Sequence, residues 1–415
     1  MHSSPVFLVG FECGRGIVAE RRAWIAYVGP VDFPEGGAAA RRILGNAKAL
    51  VAAGYEVVIV SGQRPGAEGE MFDVAPGIRC VSANERDAEH MPKVLRYTRY
   101  SVMGARSRRW LDAQTDLPAA VILYSGYSPY LLQFKGWARR RGVALLFDAV
   151  EWYAASSLFS FMLSPYLWNT EFAMRVLIPQ LDGVVAISRA LENYYCARGL
   201  PVSRVPPLFD PAEITRSSHE PVVNGPLRLV YSGSPGQKDL LDTVIEAVIQ
   251  RDGGKGIVQL DIAGLSEAEL RSRPPLRKRG RVIPDCLIAH GRVSHARSME
   301  IVGQADFTVF LRNVNRVSRN GFPTKFVESL ALGTPVITNI TSDLAEHLRD
   351  GHTGLICPGP TLVDLDATLG RALALSFDSR LALRCCARAE AERAFSYIEH
   401  AATFGVLIEE LCRKV

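Results

Sequence analysis

The sequence has no Cys-x-x-Cys pair and no Cys/His spacing suited to zinc; its eight cysteines are scattered from Cys13 to Cys412. Such usage excludes a disulfide scaffold and fits a reducing compartment. Uncharged apolar runs long enough to cross a bilayer are also missing. The segment 158–167 is too short and carries Pro165, so no integral membrane span is expected. Met1 to Glu20 lacks a basic stretch followed by a clean apolar core, and it reads as a loose extension rather than a signal peptide. No G-x-G-x-x-G follows the first strand, and there is no Walker A loop, G-x-S-x-G elbow or H-E-x-x-H. Those absences remove the common signatures of dinucleotide binding, phosphate-loop NTPases, serine hydrolases and zinc peptidases. Neither sign of charge dominates: 48 Lys and Arg against 43 Asp and Glu give +5, which implies no nucleic-acid partner.

What is present is a long, apolar, well-punctuated chain. Its 415 residues exceed what one core usually organises, and 48% apolar against 22% charged residues is an ordinary globular balance. Short β-branched runs alternate with helical patterns, the signature of parallel sheets built from βαβ units. Strands are expected at 24–29, 55–60, 120–124, 143–148 and 183–187, and in a second series at 227–233, 258–264, 287–291, 306–311 and 335–339. A helix over 36–53 ends at Gly54. Residues 209–226, rich in Pro, Ser and charge, read as a linker. The expected organisation is an extension over 1–22, domains over 23–208 and 227–395 around that linker, and a closing helix over 396–415. Asp364 and Asp366 read as charge at a helix start rather than a metal pair.

The most informative stretch runs from Asn320 through Gly321, Phe322, Pro323, Thr324, Lys325 and Glu328 to Gly333 and Pro335. Pro323 suits the first turn of a helix and Gly333 its end, so Gly321 and Phe322 form a tight loop entering that helix. Free N–H groups and the positive dipole end there suit an anion such as a diphosphate, and Lys325 adds a cation. Glu328 shares the face of Thr324 and Lys325 and can accept hydrogen bonds from ribose hydroxyls. The bland alternative is a solvated Lys325–Glu328 surface pair.

This segment resembles the nucleotide-sugar motif of glycosyltransferase family 4, a group of retaining enzymes with the GT-B fold: two Rossmann-like domains facing each other across a cleft, here with a C-terminal helical tail. The resemblance extends over nearly the whole chain. Glu328 matches the family acid that binds the donor ribose, while Asn320 stands where a first acid is usual. Gly37, in the opening glycine loop, matches the turn beside the donor phosphates. Gly233, Ser234 and Lys238 match the loop and lysine that meet the diphosphate, with Ser234 near the place of a usual arginine; Lys325 or Arg312 can compensate. Ser188 matches a helix-capping step. At the end of a first-domain strand, Asp148 and Glu151 are expected either to hydrogen-bond sugar hydroxyls and take a proton, or to cap the next helix.

The resemblance implies a retaining transfer from a nucleoside diphosphate sugar to a glycan or lipid-linked hydroxyl, with no cofactor and no metal, in surface polysaccharide or glycoconjugate synthesis. Lys238, Asp148, Glu151 and Asn320 are the expected catalytic set. The alternatives are an epimerase of the same fold, which turns over donor alone, and a degenerate relative that binds nucleotide sugar without transferring it. A cytoplasmic location is expected, with docking on an anionic membrane face through Lys93, Arg96, Arg99, Arg106, Arg108 and Arg109 among Tyr97, Tyr100, Met103 and Trp110, aided by the apolar residues between Ser157 and Ile178.

Overall fold

The computed structural model describes residues 22–34, 37–62, 69–85, 100–124, 126–153, 164–221, 225–236 and 238–414. Residues 1–21 of the expected extension, the basic residues Lys93, Arg96 and Arg99, and the apolar run over 154–163 lie outside them.

Eight strands form the first sheet: Trp24–Gly29 (β1), Glu56–Ser61 (β2), Met71–Ala75 (β3), Ile78–Ser82 (β4), Ala120–Leu123 (β5), Ala144–Ala149 (β6), Gly183–Ala186 (β7) and Val202–Arg204 (β8). Their order is β3-β4-β2-β1-β5-β6-β7-β8, parallel except for the β3/β4 pair. Between β1 and β2 the chain runs through the helix Gly37–Ala52, which buries Ala40, Ile43, Ala47 and Leu50 at helical spacing. The second sheet contains Leu227–Ser232 (β9), Val258–Ala263 (β10), Leu287–Gly291 (β11), Phe307–Val309 (β12), Val336–Thr338 (β13) and Gly354–Ile356 (β14). All six are parallel, in the order β11-β10-β9-β12-β13-β14.

The strands absent from the sequence reading lie mostly toward the margins of the sheets. β3 pairs antiparallel at an edge and is only partly buried, so its pattern carries little hydrophobic signal. β8 and β14 are three residues each. The expected helical tail is broken: the helix Phe377–Phe395 stops at Ser396, which bridges to Phe209. The helix Ala401–Cys412 then returns to the first domain, where Phe404, Leu407, Ile408 and Leu411 join Ile25 and Leu50 in one core. Chain order and domain membership therefore part company at the C-terminus. Among the described residues, no helix is long and apolar enough to cross a membrane.

Candidate active site

The parallel strands of each sheet reverse their order once, between β1 and β5 in the first and between β9 and β12 in the second. Ligands in open α/β sheets bind beyond the carboxyl ends of strands at such switch points. Here both ends open on the same interdomain cleft, of about 840 Å³, which Gly37 and Glu151 line from the first domain and Gly233, Lys238, Arg312 and Glu328 from the second.

The helix Thr324–Ala331 begins at Pro323, and no side chain caps its start; its first N–H groups remain available to an anion. Gly333 closes it with φ 74°, a left-handed geometry that favours glycine. Within that first turn, Lys325 reaches back to a buried carboxylate. Lys325 Nζ donates to Asp239 Oδ2 at 2.6 Å, Arg312 Nε to Oδ1 at 2.8 Å, and the Tyr231 hydroxyl to Oδ2 at 2.8 Å. Burial opposes ionisation of Asp239, but Lys325 and Arg312 outweigh it and hold the carboxyl below its usual range. For Lys325, burial outweighs Asp239 and lowers the ammonium's pKa. One carboxylate thus fixes two cations beside the loop of Gly233, where a Cβ would stand 3.8 Å from Lys325 Nζ.

Glu328, one turn deeper, pairs across the cleft with Arg41 Nε at 2.7 Å and bonds His295 Nε2 at 3.0 Å. The solvated Lys325–Glu328 surface pair is thereby overturned: Lys325 belongs to Asp239, and Glu328 belongs to Arg41 and His295. On the first domain's side, Glu151 holds Lys238, whose ammonium also lies 5.1 Å from the Tyr153 ring centre. Gly37, Gly233, Ser234, Lys238, Arg312, Gly321, Phe322, Pro323, Thr324, Lys325 and Glu328 all line this one cleft.

Two expected catalytic residues do not present free side chains to it. Asp148 is 1% exposed and gripped by Arg42 through Nε at 2.9 Å and Nη2 at 2.6 Å, by the Tyr27 hydroxyl at 2.5 Å, and more weakly by Asn46. Burial works against the Arg42 charge and Asp148 more than restores it. A carboxylate so committed to a guanidinium serves as a structural anchor. Asn320 turns its amide back to the Arg316 carbonyl at 2.7 Å, and its own carbonyl accepts from Ser188 Oγ at 2.7 Å. It is absent from the cleft's lining, and its backbone carbonyl bridges to Ser188 of the first domain. Ser188 does cap the following helix, as expected.

A second pocket of about 480 Å³ opens beside the cleft on the first domain, ringed by Tyr124, Tyr127, Tyr153 and Tyr166. Glu151, Ala38, Phe322 and Thr324 line both spaces.

Asp239, Arg41 and His295 were not singled out in the sequence. Asp239 directly follows Lys238, and an acid beside a lysine at a helix start was the only signal for it. Arg41 meets Glu328 from the other domain and His295 from another helix of the same domain, so neither pairing has a local signal. Among the described residues, no group of three His, Cys, Asp or Glu side chains is arranged to hold a metal ion.

Residues 37–208 match the model of the glycosyl transferase 4-like domain, and residues 227–374 match that of the glycosyl transferases group 1. No curated protein matches the chain in sequence. Among solved structures, a sucrose-phosphate synthase from Thermosynechococcus elongatus is similar with a TM-score of 0.72 at 15% identity, over 94% of this chain and 100% of that one. The lipopolysaccharide outer core galactosyltransferase WaaB gives 0.61 at 16% over 93% and 99%. Anabaena HepE, solved with UDP and glucose, gives 0.59 at 11% over 94% and 100%.

Proposed function

Because the chain belongs to the family 4-like glycosyltransferases and has the GT-B fold, we propose that it moves a sugar, with retention of configuration, from a nucleoside diphosphate sugar in the cleft to a hydroxyl group in the adjoining pocket. The observation that carries this reading is the shared wall: Glu151, Ala38, Phe322 and Thr324 face both spaces, so two ligands bound there meet. Lys325 and Arg312, held by Asp239, and the open start of the helix Thr324–Ala331 are placed to take the diphosphate, whose charge grows as the bond to the sugar breaks. Lys238 adds a cation from the facing loop. Glu328 takes the ribose after exchanging Arg41 for sugar hydroxyls. Glu151 is the carboxylate that lines both spaces, which supports it as the group that orients the attacking hydroxyl or receives its proton. Metal-free transfer is part of this reading, supported by the three cations Lys238, Arg312 and Lys325 that line the cleft.

Anabaena HepE was solved with UDP and glucose, which supports a uridine nucleotide as the first donor to try; WaaB supports a glycan acceptor and a place in polysaccharide assembly. Incubating the protein with nucleotide sugars, with and without glycan acceptors, and reading products by mass and anomeric proton couplings tests the proposal. A product of retained configuration formed only with acceptor supports it. Isomerised donor without acceptor indicates an epimerase, and binding without turnover a degenerate relative.

Docking of the first domain on an anionic membrane face is a further part of the reading. Trp168 and Phe172, exposed by 52% and 45%, support it. Of the basic residues, Arg106 donates to the Asn84 carbonyl and Arg108 pairs loosely with Asp112. Co-sedimentation with anionic but not neutral vesicles, fading with salt, is the expected result.

A further inference from the structure

The smaller pocket has a chemistry of its own. Its charged lining consists of three carboxylates, Asp32, Asp148 and Glu151, against one guanidinium, Arg42. Arg42 and Asp148 are spent on each other, and Arg42 also donates to the Val205 carbonyl at 3.0 Å and the Pro206 carbonyl at 3.3 Å, which leaves Asp32 and Glu151 as the remaining charges of the lining. Two cations that contact its lining residues are engaged as well, Lys238 with Glu151, and Arg316 with Glu171 and the Tyr153 carbonyl.

Against this deficit of free positive charge stands a surplus of aromatic surface. Four tyrosines line the pocket; Tyr153 and Tyr166 meet edge to face at 5.9 Å, and Tyr127 is braced by Tyr100 at 4.9 Å. Tyrosine offers a sugar a flat apolar face for its C–H groups and a hydroxyl for its polar edge. A phosphate monoester would instead lose its water beside Asp32 and Glu151, and among the described residues no cation lining the pocket is left unpaired to receive it; arginine or lysine partners are what phosphate recognition needs.

We infer that this pocket is an acceptor subsite for an uncharged sugar or glycoside and that it selects against phosphorylated sugars. The inference rests on the transferase reading above and deepens it by naming the acceptor's charge class. Glu151 then serves both sides: through Lys238 it faces the leaving diphosphate, and through its place in the pocket wall it faces the acceptor hydroxyl.

The test is ligand-detected saturation-transfer NMR on the full chain, with methyl glucoside, methyl galactoside and 4-nitrophenyl glucoside compared with glucose 6-phosphate and galactose 6-phosphate. UDP, GDP and ADP sugars are screened beforehand by thermal shift, and the NMR is run with the nucleotide that stabilises best. At least one neutral glycoside is expected to bind about tenfold more tightly than its phosphorylated counterpart, and to lose its signal in Tyr166→Ala and Tyr127→Phe-Tyr166→Ala variants that still melt cooperatively. Equal or tighter binding of the sugar phosphate overturns the inference. So does the absence of neutral-sugar binding, or neutral binding untouched by both variants. If those failures occur while a nucleotide sugar still stabilises the protein, the acceptor class alone falls; if no nucleotide stabilises it, the donor reading falls as well.

Discussion

Arg41, on the first domain's opening helix, pairs with Glu328, on the second domain's helix Thr324–Ala331, at 2.7 Å across the cleft. The carboxylate proposed to bind the ribose is therefore already occupied by a residue of the opposite domain. Donor binding must exchange one partner for the other, which gives the two residues opposite mutational signs.

Glu328→Gln is expected to weaken donor binding by about 1.5–3 kcal/mol, the scale of a hydrogen bond to a charged group. Arg41→Ala is expected to strengthen it by up to about 1 kcal/mol, since this partly exposed pair is weak and its removal frees Glu328. Calorimetry on both variants checks the signs; a loss in both would mean that Arg41 is itself a donor ligand rather than a competitor.

Lys238→Ala is expected to lower kcat far more than it raises KM, because its charge matters most as the diphosphate departs. Melting temperature should move little, the Lys238–Glu151 pair being part-exposed. In the same assay, EDTA is expected to leave the rate unchanged. Loss of transfer with EDTA and recovery on adding Mg²⁺ or Mn²⁺ would contradict the metal-free reading.

Asp148→Asn is expected to act on folding. Removing one partner of a buried ion pair leaves Arg42 uncompensated and costs about 3–5 kcal/mol. Denaturant unfolding should show that loss; a variant of native stability with abolished turnover would return Asp148 to the chemistry.

Asp239 makes stability depend on acid pH. Its folded-state pKa lies below the ordinary 3.8, so the unfolded chain binds its proton first on acidification. The contribution is fully present above that ordinary value and is lost as pH falls through the lower folded-state pKa. Asp239→Asn should therefore destabilise the protein at neutral pH and flatten the stability profile at the acid end, measured by denaturant titrations at a series of pH values.

Much of the fold was legible because buried parallel strands leave continuous apolar runs such as Ile25 to Val28 and Val57 to Val60, bounded by glycines. The donor-side loop was legible for a similar reason: Pro323 and Gly333 mark the helix ends locally. What sequence could not show was pairing at long range. Asp148 and Glu151 look alike in the chain, three residues apart at a strand's end, yet one faces Arg42 inside the first domain and the other faces Lys238 across the cleft. The motif resemblance puts Asn320 at a site position, but its side chain is consumed by its own helix. The final helix Ala401–Cys412 carries no local sign that its apolar face completes the first domain's core.

The most direct measurement of the central claim is donor binding to the wild-type protein and to Lys325→Ala, followed by thermal unfolding against a panel of UDP, GDP, ADP and dTDP sugars. A ligand present at about 100 times its Kd adds about 2.7 kcal/mol of stability, a shift that is easily resolved. One nucleotide class is expected to stabilise the wild type by that order, and its effect should collapse in the Lys325→Ala variant, which loses the cation held by Asp239. No stabilisation of the wild type by any nucleotide sugar, or equal stabilisation of both proteins, would contradict the assignment of this cleft as the donor site.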